Sequence, residues 1–254
     1  MKRVHVEKVT SERLLRACRR QLMPDPETNV LPLCDLYLPL FRKCTVYGAV
    51  EHDAVLGVCS VFQGFKEPSV VLGTAEPEVK KTLIERALRE ISEGFISLCQ
   101  ADDVVLFEAF ARVLGSHREQ QMTTASPKLY GTDVDVARVR RNELELLDEF
   151  YTQHRAQAWC RLQFSVGPYF CVKRDGQIVS AAGVHAVAPR IAQIGNVLTD
   201  EAWRGRGFGR ACTLAVATKL ASSGRILSLF VRNDNAPAIR MYEKKGFRKA
   251  RDIF

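Results

Sequence analysis

The chain has 254 residues, 46% hydrophobic and 26% charged, a balance that excludes a disordered or low-complexity protein. The length permits one large domain or two of about 125 residues. No apolar run approaches the roughly 20 residues that cross a bilayer, and the start, Met1 to Lys8, is charged with no apolar block behind it, so a soluble cytoplasmic protein with no membrane attachment is expected.

The formal net charge of +8 is unevenly spread: residues 1–130 hold 17 Lys and Arg against 17 Asp and Glu, leaving 20 against 12 for the rest. A local basic excess suits a solvated surface, a nucleic acid or a small ligand bearing several phosphates. Nucleic acid ranks below the phosphate ligand because no reader motif is present. Eight cysteines, at 18, 34, 44, 59, 99, 160, 171 and 212, include no C-x-x-C pair and no close Cys/His cluster, so reduced thiols and no metal are expected.

In chain order, the first half offers a helix from Ser11 to Leu22, strands within about 45–72, a helix from Pro77 to Ile91 and a strand from Val104 to Phe110. A boundary near 122–136 divides the chain into 1–130 and 131–254. The second half opens with a helical spacing from Asn142 to Ala158, then two strands about Arg174-Asp175-Gly176, because Asp-Gly tolerates the positive φ of a tight hairpin. Tyr47-x-x-Val50-x-x-Asp53 shares its frame with Tyr169-x-x-Val172-x-x-Asp175, which hints at an internal repeat. A third strand from Ile191 to Thr199 enters a glycine-rich turn and a helix of roughly 208–223 that Gly224 can end. A strand from Ile226 to Val231, a turn or cap at Asn233-Asp234-Asn235 and a helix from Ala236 to Lys245 follow.

Chemistry concentrates in the turn Arg204-Gly205-Arg206-Gly207-Phe208-Gly209-Arg210-Ala211. Glycines let backbone approach a ligand, unpaired N–H groups at a helix start attract phosphate, and Arg204, Arg206 and Arg210 add charge-assisted donors. A Walker loop needs Gly-Lys-Ser/Thr and the dinucleotide fingerprint needs G-x-G-x-x-G, and neither fits this spacing.

The stretch from Arg204 to Gly209 matches Gln/Arg-x-x-Gly-x-Gly/Ala, and Asn233 to Phe247 contains Asn-x-x-Ala-x-x-x-Tyr-x-x-x-Gly-Phe, beginning at Asn235. On these residues the chain from about 140 to 254 resembles the GNAT superfamily of acetyl-CoA-dependent N-acyltransferases, in overall form most like its glycine-acyltransferase-like branch. The resemblance implies a mixed, mostly antiparallel α/β sheet flanked by helices, arranged as two tandem halves. The first half is then a degenerate copy, with Gly73-Thr74-Ala75-Glu76-Pro77-Glu78 where a glycine loop should stand. Val197, Leu198 and Thr199 would bond the pantetheine arm through their backbone. N–H groups from Gly205 through Ala211 would hold the pyrophosphate, Asn235 would touch the thioester or pantetheine end, and Tyr242 would protonate the departing thiolate. Tyr242 also reads as a core tyrosine.

The implied reaction is acetyl transfer to a primary amine by direct attack in a ternary complex, with a non-catalytic acyl-CoA-binding or regulatory module as the alternative. Many relatives carry a Glu on the strand before the loop, but Ile191 to Val197 holds no carboxylate. His185 is more readily read as structural than as the base, and Gln193 or Asn196 could order a water instead. Cys171 and Cys212 read as packing residues.

Overall fold

Asp175 and Gly176, with φ of 48° and 78°, turn the chain between two antiparallel strands, and His52, with φ of 57°, does the same in the first half. The computed structural model describes residues 4–92, 94–128 and 133–254. It divides into two units, one of residues up to 119 with 251–254, the other of 120–250. The boundary expected between 130 and 131 lies outside the described residues.

The first unit runs β1 (His5–Lys8), α1 (Glu12–Leu22), α2 (Val30–Asp35), β2 (Cys44–Glu51), β3 (Ala54–Phe62), β4 (Ser69–Leu72), α3 (Pro77–Leu88) and α4 (Ala101–Glu108). Its four strands form a sheet in sequence order, every pair antiparallel. Ser11 caps α1 by accepting from the Leu14 N–H, and Pro77 opens α3, where its missing N–H costs nothing. Tyr47, Val61, Leu83 and Ile84 lie in one buried cluster between this sheet and its helices.

The second unit holds β5 (Glu119–Thr124), β6 (Ala137–Arg138), α5 (Leu144–Gln153), β7 (Tyr169–Arg174), β8 (Gln177–Ala188), β9 (Ile191–Thr199), α6 (Phe208–Ala221), β10 (Ile226–Arg232), α7 (Ala236–Lys244) and β11 (Arg248–Ile253), the outer ends of β5 and β11 belonging to the first unit. Its sheet has the order β11-β5-β10-β9-β8-β7-β6. One face packs Val184, Ala192, Ile194, Leu227 and Leu229 against Phe208, Cys212 and Val216 of α6 and Tyr242 of α7. The other packs Tyr169, Cys171 and Ala181 against Leu147, Phe150 and Tyr151 of α5. The order helix, hairpin, strand, helix therefore occurs twice, and Tyr47 and Tyr169 are both fully buried on the first strand of their hairpins.

The strand expected from Val104 to Phe110 is instead helix α4. Asp102 and Asp103 sit in its first turn, where carboxylates favour the positive helix end, and the buried pair Asp103 and Phe107 sets an i, i+4 spacing while Val105 is exposed. Residues 122–124, at the start of the expected boundary region, are the buried end of strand β5. None of the eight cysteines is joined in a disulfide, and six of them are buried.

Candidate active site

β9 and β10 run parallel and pair at only three positions, Ile191 with Ile226, Ala192 with Leu227 and Gln193 with Ser228. Beyond Gln193 the two strands carry no ladder between them among the described residues. The far part of β9, which holds Val197, Leu198 and Thr199, therefore presents a strand edge, and Val197 is exposed. Such an edge is a template for an added extended segment.

Two bulges shape β9 and its neighbour. One places an extra residue of β8, His185, opposite Gln193 and Ile194; the other lies in β9 at 196–197. Asn196 takes φ of 53°, which a non-glycine residue adopts only when its surroundings hold it there. Here they do. Its Nδ2 donates to Gln163 Oε1 and to the Tyr169 hydroxyl, both at 2.9 Å, while the Tyr151 hydroxyl donates to its main-chain oxygen at 2.6 Å. Gln163 Nε2 stands 2.9 Å from His185 Nδ1 and donates to it. Burial pushes the His185 imidazole down to about 4, against a smaller upward effect of Asn196, so it is uncharged at neutral pH. This cage fixes the bulge; His185 is part of the cage.

β9 leads directly into the glycine turn. Asp200 accepts from the Ala202 N–H, starting a short turn through Trp203, and Gly205 and Gly207 then take φ of 78° and 76°. Neither leaves room to doubt why glycine stands there, since a side chain in this region is strained. Gly207 precedes α6 and offers no side-chain cap, so the first N–H groups of a fourteen-residue helix face outward without an intrahelical acceptor. The Arg210 guanidinium folds back to within 3.8 Å of where a Gly207 Cβ would be. Arg206 lies over the Trp203 ring at 4.6 Å, and Arg204 Nε donates to the Thr199 carbonyl at 3.3 Å. Gly209 lets α6 close on β9, because a Cβ there would stand 3.0 Å from Thr199 Oγ1. The result is a positively charged helix start, suited to an anion.

Phe208 and Ala211 are buried behind this turn, where they contribute backbone and packing rather than surface. Asn235 caps α7, its Oδ1 accepting from the Ala238 N–H at 3.2 Å. Tyr242 is 5% exposed, in contact with Phe247, with ring centroids 5.8 Å apart. Burial raises its phenol above the ordinary tyrosine range, partly offset by a hydrogen bond with Thr213, whose hydroxyl donates to the Gly209 carbonyl at 2.8 Å. Burial likewise pushes the Cys212 thiol up to about 12 and the Cys171 thiol up to about 11, so neither is a thiolate. Among the described residues no group of three or more His, Cys, Asp or Glu side chains is placed to hold a metal ion, and no helix is long and apolar enough to cross a membrane.

The sequence reading missed the cage of Tyr151, Gln163 and Tyr169. Gly195-Asn196 in the middle of a strand was the available signal, since both residue types are depleted in strands and mark bulges.

An unpaired edge beside a diverging parallel strand, followed by a glycine turn and a helix start, is an arrangement suited to an extended ligand that ends in an anion. The profile of the Acetyltransferase (GNAT) family matches residues 136–247, and this part of the chain is a GNAT acetyltransferase domain. A mycothiol acetyltransferase of Amycolatopsis mediterranei is 35% identical over 96 residues, 34% of this chain and 32% of that protein. The curated relatives matched are aligned over 22–41% of their own length. A GCN5-related N-acetyltransferase-like protein from Streptococcus suis shares the fold with a TM-score of 0.63 at 18% identity, covering 94% of this chain and 97% of that one. A tandem GNAT protein from the clavulanic acid biosynthesis pathway does so with a TM-score of 0.56 at 11% identity, covering 99% and 96%.

Proposed function

We propose that the protein is an N-acetyltransferase that moves the acetyl group of acetyl-CoA to a primary amine by direct attack in a ternary complex. The observation that carries this reading is the separation of β9 from β10 beyond Gln193, on the strand that runs straight into the Gly205–Gly207 turn. Val197, Leu198 and Thr199 would take the pantetheine arm along the unpaired edge. The N–H groups of 205–210, with Arg204, Arg206 and Arg210, would hold the pyrophosphate, the Ala211 N–H being spent on the Gly207 carbonyl at 3.0 Å, and Asn235 would approach the pantetheine end with the part of its amide not spent on the cap.

The amine nitrogen attacks the thioester carbon, the oxyanion needs donors, and the thiolate needs a proton. A raised phenol pKa keeps Tyr242 protonated, as a donor to sulfur must be. Neutral His185 is spent on the cage and supplies no base, so the nitrogen gives up its proton to water. The mycothiol acetyltransferase relatives support acetyl as the group transferred.

The first unit, with the same order of helix, hairpin, strand and helix, reads as a degenerate GNAT-like half of a tandem protein. Its counterpart of the glycine turn is closed to phosphate: Thr74 N–H donates to the buried Asn29 Oδ1, and Pro77 and Glu78 open α3.

The test is calorimetric titration of acetyl-CoA into the native protein and into Gly207→Glu, whose side chain and charge would stand against the pyrophosphate. Micromolar binding lost in the variant, with CoA thiol released in the presence of amines by the native protein, is the expected result. A folded native protein that binds no acetyl-CoA overturns the reading.

A further inference from the structure

Gln193 is 4% exposed, and its Oε1 is buried with no hydrogen-bond partner among the described residues. A buried acceptor left unpaired is costly, and native interiors rarely tolerate it without a use. Its neighbours Ala192 and Ile194 face α6, so strand alternation places Gln193 on the opposite face. It occupies the last rung before β9 and β10 part. Ser228, its partner on that rung, lies between the core residues Leu227 and Leu229 and shares the same face. The Ser228 hydroxyl accepts from Gln121 Nε2 at 2.9 Å, and Gln121 precedes the core residue Met122 on β5. Three adjacent strands thus present a row of uncharged polar side chains. Gln121 donates to Ser228, whereas the oxygen of Gln193, the residue on the last rung before the strands part, is left over.

We propose that Gln193 Oε1 receives an N–H of the acceptor, and that the acceptor is a weakly basic primary amine that enters uncharged. This rests on the acetyl-transfer reading above. A carboxylate here would draw in an ammonium ion and hold it charged; a carboxamide oxygen takes one N–H of a neutral amine and leaves the nitrogen lone pair for the thioester carbon. The N–C bond forms, the C–S bond breaks with its electron pair going to sulfur, and one proton passes from nitrogen to water while sulfur takes one from the protein or solvent. The α-amino group of an amino-acid amide, with a pKa of about 8, offers at neutral pH an uncharged fraction roughly two orders of magnitude above that of a lysine side chain at about 10.4.

The test uses the full chain with Gln193→Met, which keeps the side-chain length and removes its hydrogen-bonding atoms. Acetyl-CoA affinity, melting temperature and CoA thiol release are measured with glycinamide and with Nα-acetyl-lysine amide at neutral pH. The expected result is acetyl-CoA affinity within about threefold of native, an equal or higher melting temperature, and at least a tenfold loss of kcat/KM for glycinamide, about one hydrogen bond's worth. The native protein should prefer glycinamide to the lysine amide by about a hundredfold. Native kcat/KM in Gln193→Met overturns the proposal, as does equal use of both amines. A melting temperature lowered by more than about 5 °C also overturns it, since that shows a carboxamide satisfied inside the fold. Acetyl-CoA bound without thiol release from either amine overturns it while the cofactor site stands, whereas no acetyl-CoA binding by the native protein removes the reading beneath it.

Discussion

Tyr151 donates its phenolic hydrogen to the main-chain oxygen of Asn196 across 2.6 Å and so ties helix α5 to the bulge of β9. Its ring stacks on Trp159 at 4.6 Å and meets Tyr169 edge-on at 6.4 Å. The aromatic cluster thereby sets the direction of the strand edge on which the proposed arm would lie.

Asn196→Ala keeps the chain in the left-handed region without its side-chain ties, and a stability loss of about 3 kcal/mol is expected, from strain of about 1 and two hydrogen bonds of about 1 each. Asn196→Gly relieves the strain and should lose roughly 2 kcal/mol or less. Urea unfolding measures both. Acetyl-CoA affinity should fall in both variants, because the edge loses its anchor; unchanged affinity would separate the bulge from binding.

Gly209→Val puts methyl groups where a Cβ alone would already stand 3.0 Å from Thr199 Oγ1. Helix α6 must move off β9, at a cost of about 1–3 kcal/mol. Thermal melting should show the loss, and acetyl-CoA titration should show weakening beyond it, since the helix start and the strand edge no longer keep their spacing.

Tyr242→Phe removes a buried hydroxyl bonded with Thr213, so a destabilisation of about 1 kcal/mol is expected whatever its role. If the phenol protonates sulfur, kcat also falls by about a hundredfold or more with acetyl-CoA affinity unchanged. Single-turnover thiol release distinguishes the two, because a purely packing tyrosine leaves the rate alone.

Asp35 in the first unit is 8% exposed and accepts from the Ser60 hydroxyl at 2.8 Å; burial pushes its carboxyl up to about 7 against the smaller opposing effect of that bond. Between the unfolded value near 3.8 and about 7 the folded state holds the proton that the unfolded state has released. Stability from this group is therefore fully present below about 4 and is lost as pH rises towards 7, on the order of a few kcal/mol. His185 acts in the opposite sense: its lowered pKa gives stability above about 6.5 that is lost as pH falls towards 4. Asp35→Asn should be more stable than the native protein at pH 8 and lose that advantage by pH 5, followed by chemical denaturation across the range.

The glycine turn and the strand before it were legible because their signal is local. Positive φ demands glycine at 205 and 207, and Ile191 to Thr199 is β-branched or apolar over most of its length. The same locality found the Asp175-Gly176 hairpin and the repeated Tyr47 and Tyr169 frame. Helix α4 was misread because Val104 to Phe107 has strand composition, and only the ion pair of Asp103 with Lys80 at 2.7 Å, from a distant helix, shows which period wins. Gln163 carried no signal because its partners within the cage, Asn196 and His185, are brought to it by the sheet from 33 and 22 positions away. The unpaired Gln193 oxygen was invisible for the same reason: an unpaired atom is a property of the packed interior, and sequence records no neighbours.

In the sheet order, β5 lies between β10 and β11, although six helices and strands separate it from β10 along the chain. The segment that matches the family, 136–247, contains neither β5 nor β11. Cut out at those limits, it would turn β10 from an interior strand into a rim, with the main chain of Leu227, Leu229 and Val231 open to any other chain that could pair with it. Excision at the limits of a sequence match would therefore yield a self-associating fragment, and transplanting this site into another scaffold requires carrying both flanking strands along.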